Sequence, residues 1–176
     1  MKRSSSKPGA AVALSVFGLL AVMVAMWGTG IWINTTTSLP PGLYRQTGPG
    51  TAVEKGDFAL ACLPRGQWHR EPPWSLRCAD RAMPILKKIA ALPNDQVEIT
   101  AFGIRVNGQT IPNSKRLPTQ VSTATSGSVP AGMVWLLSDS APDSYDSRYF
   151  GPVPLTAVQA TVRPLWVFES FPGDMQ

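Results

Sequence analysis

Metal-binding side chains are scarce: the chain has one histidine, His69, two cysteines, Cys62 and Cys78, and no cluster of carboxylates. Such a donor set is too poor for a zinc or iron centre, and neither a metal nor a cofactor is expected. A strongly basic surface is missing as well. Lys2, Arg3 and Lys7 supply three of the +5 net charges ahead of the first apolar run, leaving +2 for everything after it. That balance excludes a nucleic-acid footprint. Length excludes a second large domain, because 176 residues bury one core well and leave little over. No internal repeat is present.

Charge is absent altogether from Ala11 to Ile33, "AVALSVFGLLAVMVAMWGTGIWI". About 20 apolar residues span a bilayer core, so 11–33 is expected to be a transmembrane helix. A cleavable leader would have a shorter apolar centre and a small-x-small exit, whereas here the exit is Gly-Ile-Trp-Ile-Asn. Basic residues hold the tail, 1–10, in the cytoplasm, and Trp27 and Trp32 suit an interfacial belt. Residues 34–176 then lie on the periplasmic side of a bacterial inner membrane.

Beyond residue 33 no stretch sustains a helical period. Short apolar runs, among them "DFALACL", "ILKKIAAL", "QVEITAF" and "MVWLLSD", are separated by Gly, Pro, Asn and Asp. The soluble part is therefore expected to be mainly β, with antiparallel sheets. In "IRVNGQTI", Asn107-Gly108 predicts a two-residue hairpin turn. The polar, hydroxyl-rich segment 113–129 reads as a mobile surface excursion, and residues after about 165 as a last strand with a frayed tail. Outside the cytoplasm the two cysteines flanking 62–78 are expected to form a disulfide worth roughly 3 kcal/mol. The alternative is two unpaired buried thiols.

"NTTTSLPPGLY", residues 34–44, follows the apolar run. Its serine, Ser38, is a candidate nucleophile, but a serine hydroxyl needs a base at neutral pH. His69 could complete a triad only from within the Pro- and Arg-rich loop between the cysteines. Lysine is the other option, provided burial lowers its pKa. Lys87 and Lys88 lie among Met83, Ile85, Leu86 and Ile89, and in a strand adjacent residues face opposite ways. One of them can enter the core while the other meets solvent. Taken alone, the segment reads more readily as a strand edge with two solvated lysines.

Three stretches alter that balance: "SLPPG" with Thr36 before it, "ILKKIAALPND", and "VPAGMVWLLSDSAPDSYDSRYFGPV". In order and character they resemble the boxes of the bacterial type I signal peptidases, membrane-anchored Ser/Lys proteases. "EKGDFALA" and "IRVNGQTI" also look like family segments. The resemblance implies Ser38 as nucleophile and Lys87 as general base, with the Thr36 hydroxyl and Ser38 N–H forming the oxyanion hole. Ser144 matches a hydroxyl that orients the lysine amine. Asp146 and Arg148 match a bracing ion pair, and Asp139 another acidic position. Leu39, Met83, Pro84, Ile85 and Leu86 are the expected substrate contacts. Asn94 and Ser138 stand where the family usually has Gly.

The chain has only the short 100–130 insertion, carrying the hairpin and the mobile loop, in place of a larger inserted domain. That compactness looks more like the TraF-type peptidases of conjugative transfer. The implied function is processing of a membrane-bound pilin precursor, ending in hydrolysis or in transpeptidation that closes a ring. Its partners would be that precursor, the inner membrane and other transfer-system components, with no nucleic acid. Two alternatives stand beside it: a general signal peptidase acting on exported preproteins, and a non-catalytic anchored scaffold of a secretion or pilus complex.

Overall fold

β-branched and aliphatic runs broken by turn residues give eleven strands in the computed structural model, which describes residues 12, 14–19, 21, 29–63, 78 and 84–168. In chain order the strands are β1 (Ile31–Asn34), β2 (Gly42–Pro49), β3 (Phe58–Cys62), β4 (Pro84–Ala91), β5 (Gln96–Thr100), β6 (Gly103–Val106), β7 (Gln109–Thr110), β8 (Gly127–Ser128), β9 (Met133–Leu137), β10 (Val153–Pro154) and β11 (Val158–Val167). Seven of them form a sheet in the order β1-β2-β11-β3-β4-β9-β10, and four form a smaller sheet in the order β7-β6-β5-β8. Every pairing is antiparallel. The expected class, mainly β with antiparallel sheets, is what the chain adopts.

Strand β9 shows why its sequence, "MVWLL", has no polar alternation. Val134 and Leu136 enter one core cluster with Ile85, Ile89 and Val158, while Trp135 and Leu137 enter a second with Val97, Ile104 and Val106 of the smaller sheet. A strand covered on both faces reads as a continuous apolar run. Between β6 and β7 the predicted turn is present: Asn107 and Gly108 have φ of 49° and 80°. Two consecutive left-handed residues are what a twist-compatible hairpin turn requires.

The expected anchor needs a correction at its end. Residues 12, 14–19 and 21 are helical, but Ile31–Asn34 is strand β1, paired with Leu43, Tyr44 and Arg45 of β2. Gly30, at φ 65°, turns the chain, and its carbonyl accepts a hydrogen bond from Gln46 N at 2.9 Å. The β-branched pair Ile31 and Ile33 suits a strand as well as a membrane helix, and pairing with β2 decides the matter. Trp32, expected in an interfacial belt, packs instead against the cluster of Tyr44, Leu60 and Val162. Among the described residues no helix is long and apolar enough to cross a membrane.

Cys62 and Cys78 are joined in a disulfide, with Cα atoms 5.7 Å apart, inside the usual range. Segment 113–129, expected to be a mobile excursion, is tied to the large sheet's loops. Arg116 Nε donates to the Arg148 carbonyl at 2.7 Å and its Nη2 to the Ala124 carbonyl at 2.9 Å. Thr123 N donates to the Tyr149 carbonyl at 2.8 Å. Carbonyl acceptors in the last box hold what composition alone reads as loose.

Candidate active site

Strand β4 alternates strictly in burial: Ile85, Lys87, Ile89 and Ala91 turn inward, and Pro84, Leu86, Lys88 and Ala90 lie half-buried. Of the two lysines, Lys87 is the one in the core, only 4% exposed. Its Nζ donates to Ser144 Oγ at 2.7 Å. Burial pushes the amine down to about 8; the carboxylates of Asp146 and Asp143 act to raise it and the Arg148 guanidinium to lower it. Desolvation wins because Ile85 and Ile89 flank the amine on the same strand face. Lys88 goes the other way. It pairs with Asp139 at 2.6 Å and lies over the Phe58 ring, 5.2 Å from its centroid.

The last box supplies the rest. A single helical turn, Ser147–Phe150, is capped by Asp146, whose Oδ1 accepts from Arg148 N at 3.2 Å. Asp146 and Arg148 are both fully buried and form a two-pronged ion pair, Nε to Oδ1 at 2.7 Å and Nη2 to Oδ2 at 3.0 Å. A buried pair is sustained only when its remaining donors and acceptors are used. Here they are: Arg148 also donates to the carbonyls of Asn113 at 2.7 Å, Pro142 at 2.9 Å and Ser138 at 3.0 Å. Asp146 Oδ2 accepts from Ser138 N at 2.9 Å.

The Ser38 loop is held through its carbonyls. Asn34, buried at the end of β1, donates from Nδ2 to the carbonyls of Thr36 at 3.1 Å, Leu39 at 2.9 Å and Pro40 at 3.2 Å. Tyr44 Oη donates to the Pro40 carbonyl at 2.6 Å, Phe168 N to the Pro41 carbonyl at 2.8 Å, and Ser138 Oγ to the Ser38 carbonyl. Gly42 lets β11 close on the loop, since a Cβ there would come within 2.2 Å of the Trp166 carbonyl oxygen. Ser138 directly follows Leu137, the register partner of Lys88. Ser38 is thereby brought to the C-terminal end of β9, which lies beside the middle of β4 where Lys87 sits.

Measured against the sequence expectations, the fold gathers Ser38, Lys87, Ser144, Asp146 and Arg148 around one strand end. Asp139 is not with them; it pairs with Lys88, on the strand face opposite Lys87. The Thr36 hydroxyl donates to Asn34 Oδ1 at 2.8 Å, so it is engaged within its own turn. Two expected substrate contacts need correction, because the Leu39 and Ile85 side chains are buried in the core. Pro84 and Leu86 remain half-exposed, and Met83 and His69 lie outside the described residues. Sequence reasoning missed Asn34 and Tyr44. The Asn-x-Thr pattern at 34–36 is a signal for an Asx turn and could have pointed to the first; nothing local marks the second.

Residues 9–167 match the family described as signal peptidase, peptidase S26. Over 168 residues the chain is 32% identical to conjugal transfer protein TraF of Agrobacterium fabrum strain C58, covering 89% of this chain and 94% of that one. Over 166 residues it is 30% identical to plasmid transfer protein TraF of Escherichia coli, covering 88% and 93%. A crystal structure of a signal peptidase I from Enterococcus faecalis V583 superposes with a TM-score of 0.40 at 22% identity, covering 64% of this chain and 97% of that one. With its box residues gathered at one strand end and its match running nearly end to end, the chain belongs to the signal peptidase family, peptidase S26, in its TraF-type branch.

Proposed function

We propose that the chain is a membrane-anchored serine endopeptidase with a Ser38/Lys87 dyad, processing a membrane-bound pilin precursor of a conjugative transfer system. One observation carries this reading: Lys87 is a buried amine lowered to about 8 and hydrogen-bonded to Ser144, in the middle of β4 beside the end of β9, where Ser138 bonds the Ser38 carbonyl. Neutral Lys87 takes the Ser38 proton as Oγ attacks the scissile carbonyl. The Ser38 N–H and the Thr36 hydroxyl, rotated off Asn34, hold the oxyanion, each such donor being worth about 2.7–4 kcal/mol. Lys87 then passes the proton to the leaving amine, and an acyl ester on Ser38 remains. Water releases it as an acid, or a peptide N-terminus displaces Ser38 to form a new amide and close a ring. Lys87 Nζ donates to Ser144 and not to Ser38 here, and catalytic contacts commonly tighten on substrate binding.

Substrate would enter as an added strand. Among the described residues β9 pairs with β4 only from Lys88 onward, and no described strand pairs with 84–87 on that side, where an extended peptide can pair beside Pro84 and Leu86. The anchor is drawn from the apolar run up to the Thr29-Gly30 turn. From Ile31 the chain reaches Ser38 within roughly 28 Å, which keeps the nucleophile near the bilayer surface and selects membrane-bound substrates.

The experiment is cleavage of a vesicle-embedded pilin precursor by wild type, Ser38→Ala, Lys87→Ala and Lys88→Ala, read by product mass. Product is expected to vanish in the first two variants and persist in the third, and a mass lower by one further water marks ring closure. Full cleavage by Ser38→Ala would refute the dyad, and absence of cleavage by wild type would leave an anchored scaffold. Equal cleavage of ordinary Ala-x-Ala leaders would make the chain a general signal peptidase.

A further inference from the structure

The side chain of Ser138 uses all of its hydrogen-bonding capacity. It is fully buried, and its Oγ accepts from Ser140 N at 3.2 Å and Ala141 N at 3.0 Å while donating its one proton to the Ser38 carbonyl. With both acceptor sites occupied, that proton has a single destination. The backbone of Ser138 is equally fixed, its N–H on Asp146 and its carbonyl on Arg148. A contact across 100 residues of sequence therefore links the Ser38 peptide to the buried Asp146–Arg148 pair. On the other side Asn34 holds the next two carbonyls, of Leu39 and Pro40.

We infer that Ser138 is a positioning residue: its hydroxyl fixes the Ser38 peptide plane, and with it the direction of Ser38 Oγ and N–H relative to the Lys87 amine. The inference rests on the Ser38/Lys87 reading. Ser138 itself touches no substrate, since it is buried beneath the loop. Without the hydroxyl the Ser38 carbonyl and two turn amides lose their partners, and the Ser38 peptide is free to rotate against its Asn34 clamp. A nucleophile displaced by about 1 Å loses roughly 100-fold in rate while substrate still binds along its strand. Lys87 keeps its Ser144 partner, so the pH at which the amine becomes neutral should not move.

The test compares full-length wild type, Ser38→Ala and Ser138→Ala on the vesicle-embedded precursor, well below the melting temperature of each. For Ser138→Ala, kcat is expected to fall roughly 10- to 100-fold with KM within about twofold of wild type and the pH midpoint unchanged. If wild type does not cleave, or Ser38→Ala cleaves equally, the dyad reading itself fails. If Ser38→Ala is inactive and Ser138→Ala turns over within about twofold of wild type, only the positioning role is overturned. A loss that appears in KM, or as a smaller fraction of acylating enzyme with normal kcat, overturns it as well. Should Ser138→Ala melt too early to assay, Ser138→Gly removes the same hydroxyl and is held to the same criteria.

Discussion

Replacing Lys87 by methionine removes a charge that the fold has to desolvate, and the consequence depends on pH in a calculable way. The amine falls from its ordinary 10.5 to about 8 in the folded protein. Between those values the unfolded chain binds the extra proton, so wild-type stability rises with pH there. Below pH 8 both states are protonated and the full penalty applies; above 10.5 both are neutral and it is gone. A shift of this size is worth about 3 kcal/mol. Methionine fills similar space but leaves Ser144 Oγ without its partner, costing about 1–3 kcal/mol at every pH. The difference between wild type and Lys87→Met should therefore move by about 3 kcal/mol in favour of wild type from pH 7 to pH 11. Tyr44 and Tyr145, both raised by burial, titrate alike in the two proteins and cancel in the difference. Urea unfolding in detergent micelles across that range measures it. Cleavage by wild type should follow the same titration, with about one amine in ten neutral at pH 7 and half at pH 8. A stability difference that does not change with pH, together with an activity midpoint near 10.5, would refute a desolvated Lys87.

Arg148→Met should destabilise the fold by about 3–5 kcal/mol, because it leaves the fully buried Asp146 carboxylate unpaired; a chemical denaturation curve within about 1 kcal/mol of wild type would contradict this. Removing the disulfide by the double change Cys62→Ser and Cys78→Ser should cost roughly 3 kcal/mol, seen as loss of the reductant sensitivity of the melting temperature. Asn34→Leu should release the carbonyls of Thr36, Leu39 and Pro40 and cut precursor cleavage by about tenfold or more; a wild-type rate would show that the loop holds its shape without that amide.

Much of the candidate site could be read locally. Alternation in a strand sends two adjacent lysines to opposite faces, Asn107-Gly108 calls for its hairpin, and the box order places Ser38, Lys87 and Ser144 in one family pattern. Other features were not legible because their causes are distant in sequence. Asp139 sits in the same box as Asp146, yet its carboxylate is taken by Lys88 across two paired strands. Leu39 borders the nucleophile but is buried by the folding back of its loop. The clamps from Asn34, Tyr44 and Ser138 fall on backbone carbonyls, which leave no trace in residue type.

Composition and period were enough to determine the class of fold, because they depend on neighbours along the strand, and the order of the boxes pointed to the family. Tertiary structure alone decided that Lys87 is the inward lysine, since parity along β4 is set by its register with β3 and β9. It also decided that Ile31–Asn34 is a strand, because the same apolar residues satisfy a bilayer or a sheet edge until β2 lies beside them. Pairing across the sheet supplies the hydrogen bonds and the burial that choose between conformations the local sequence permits equally.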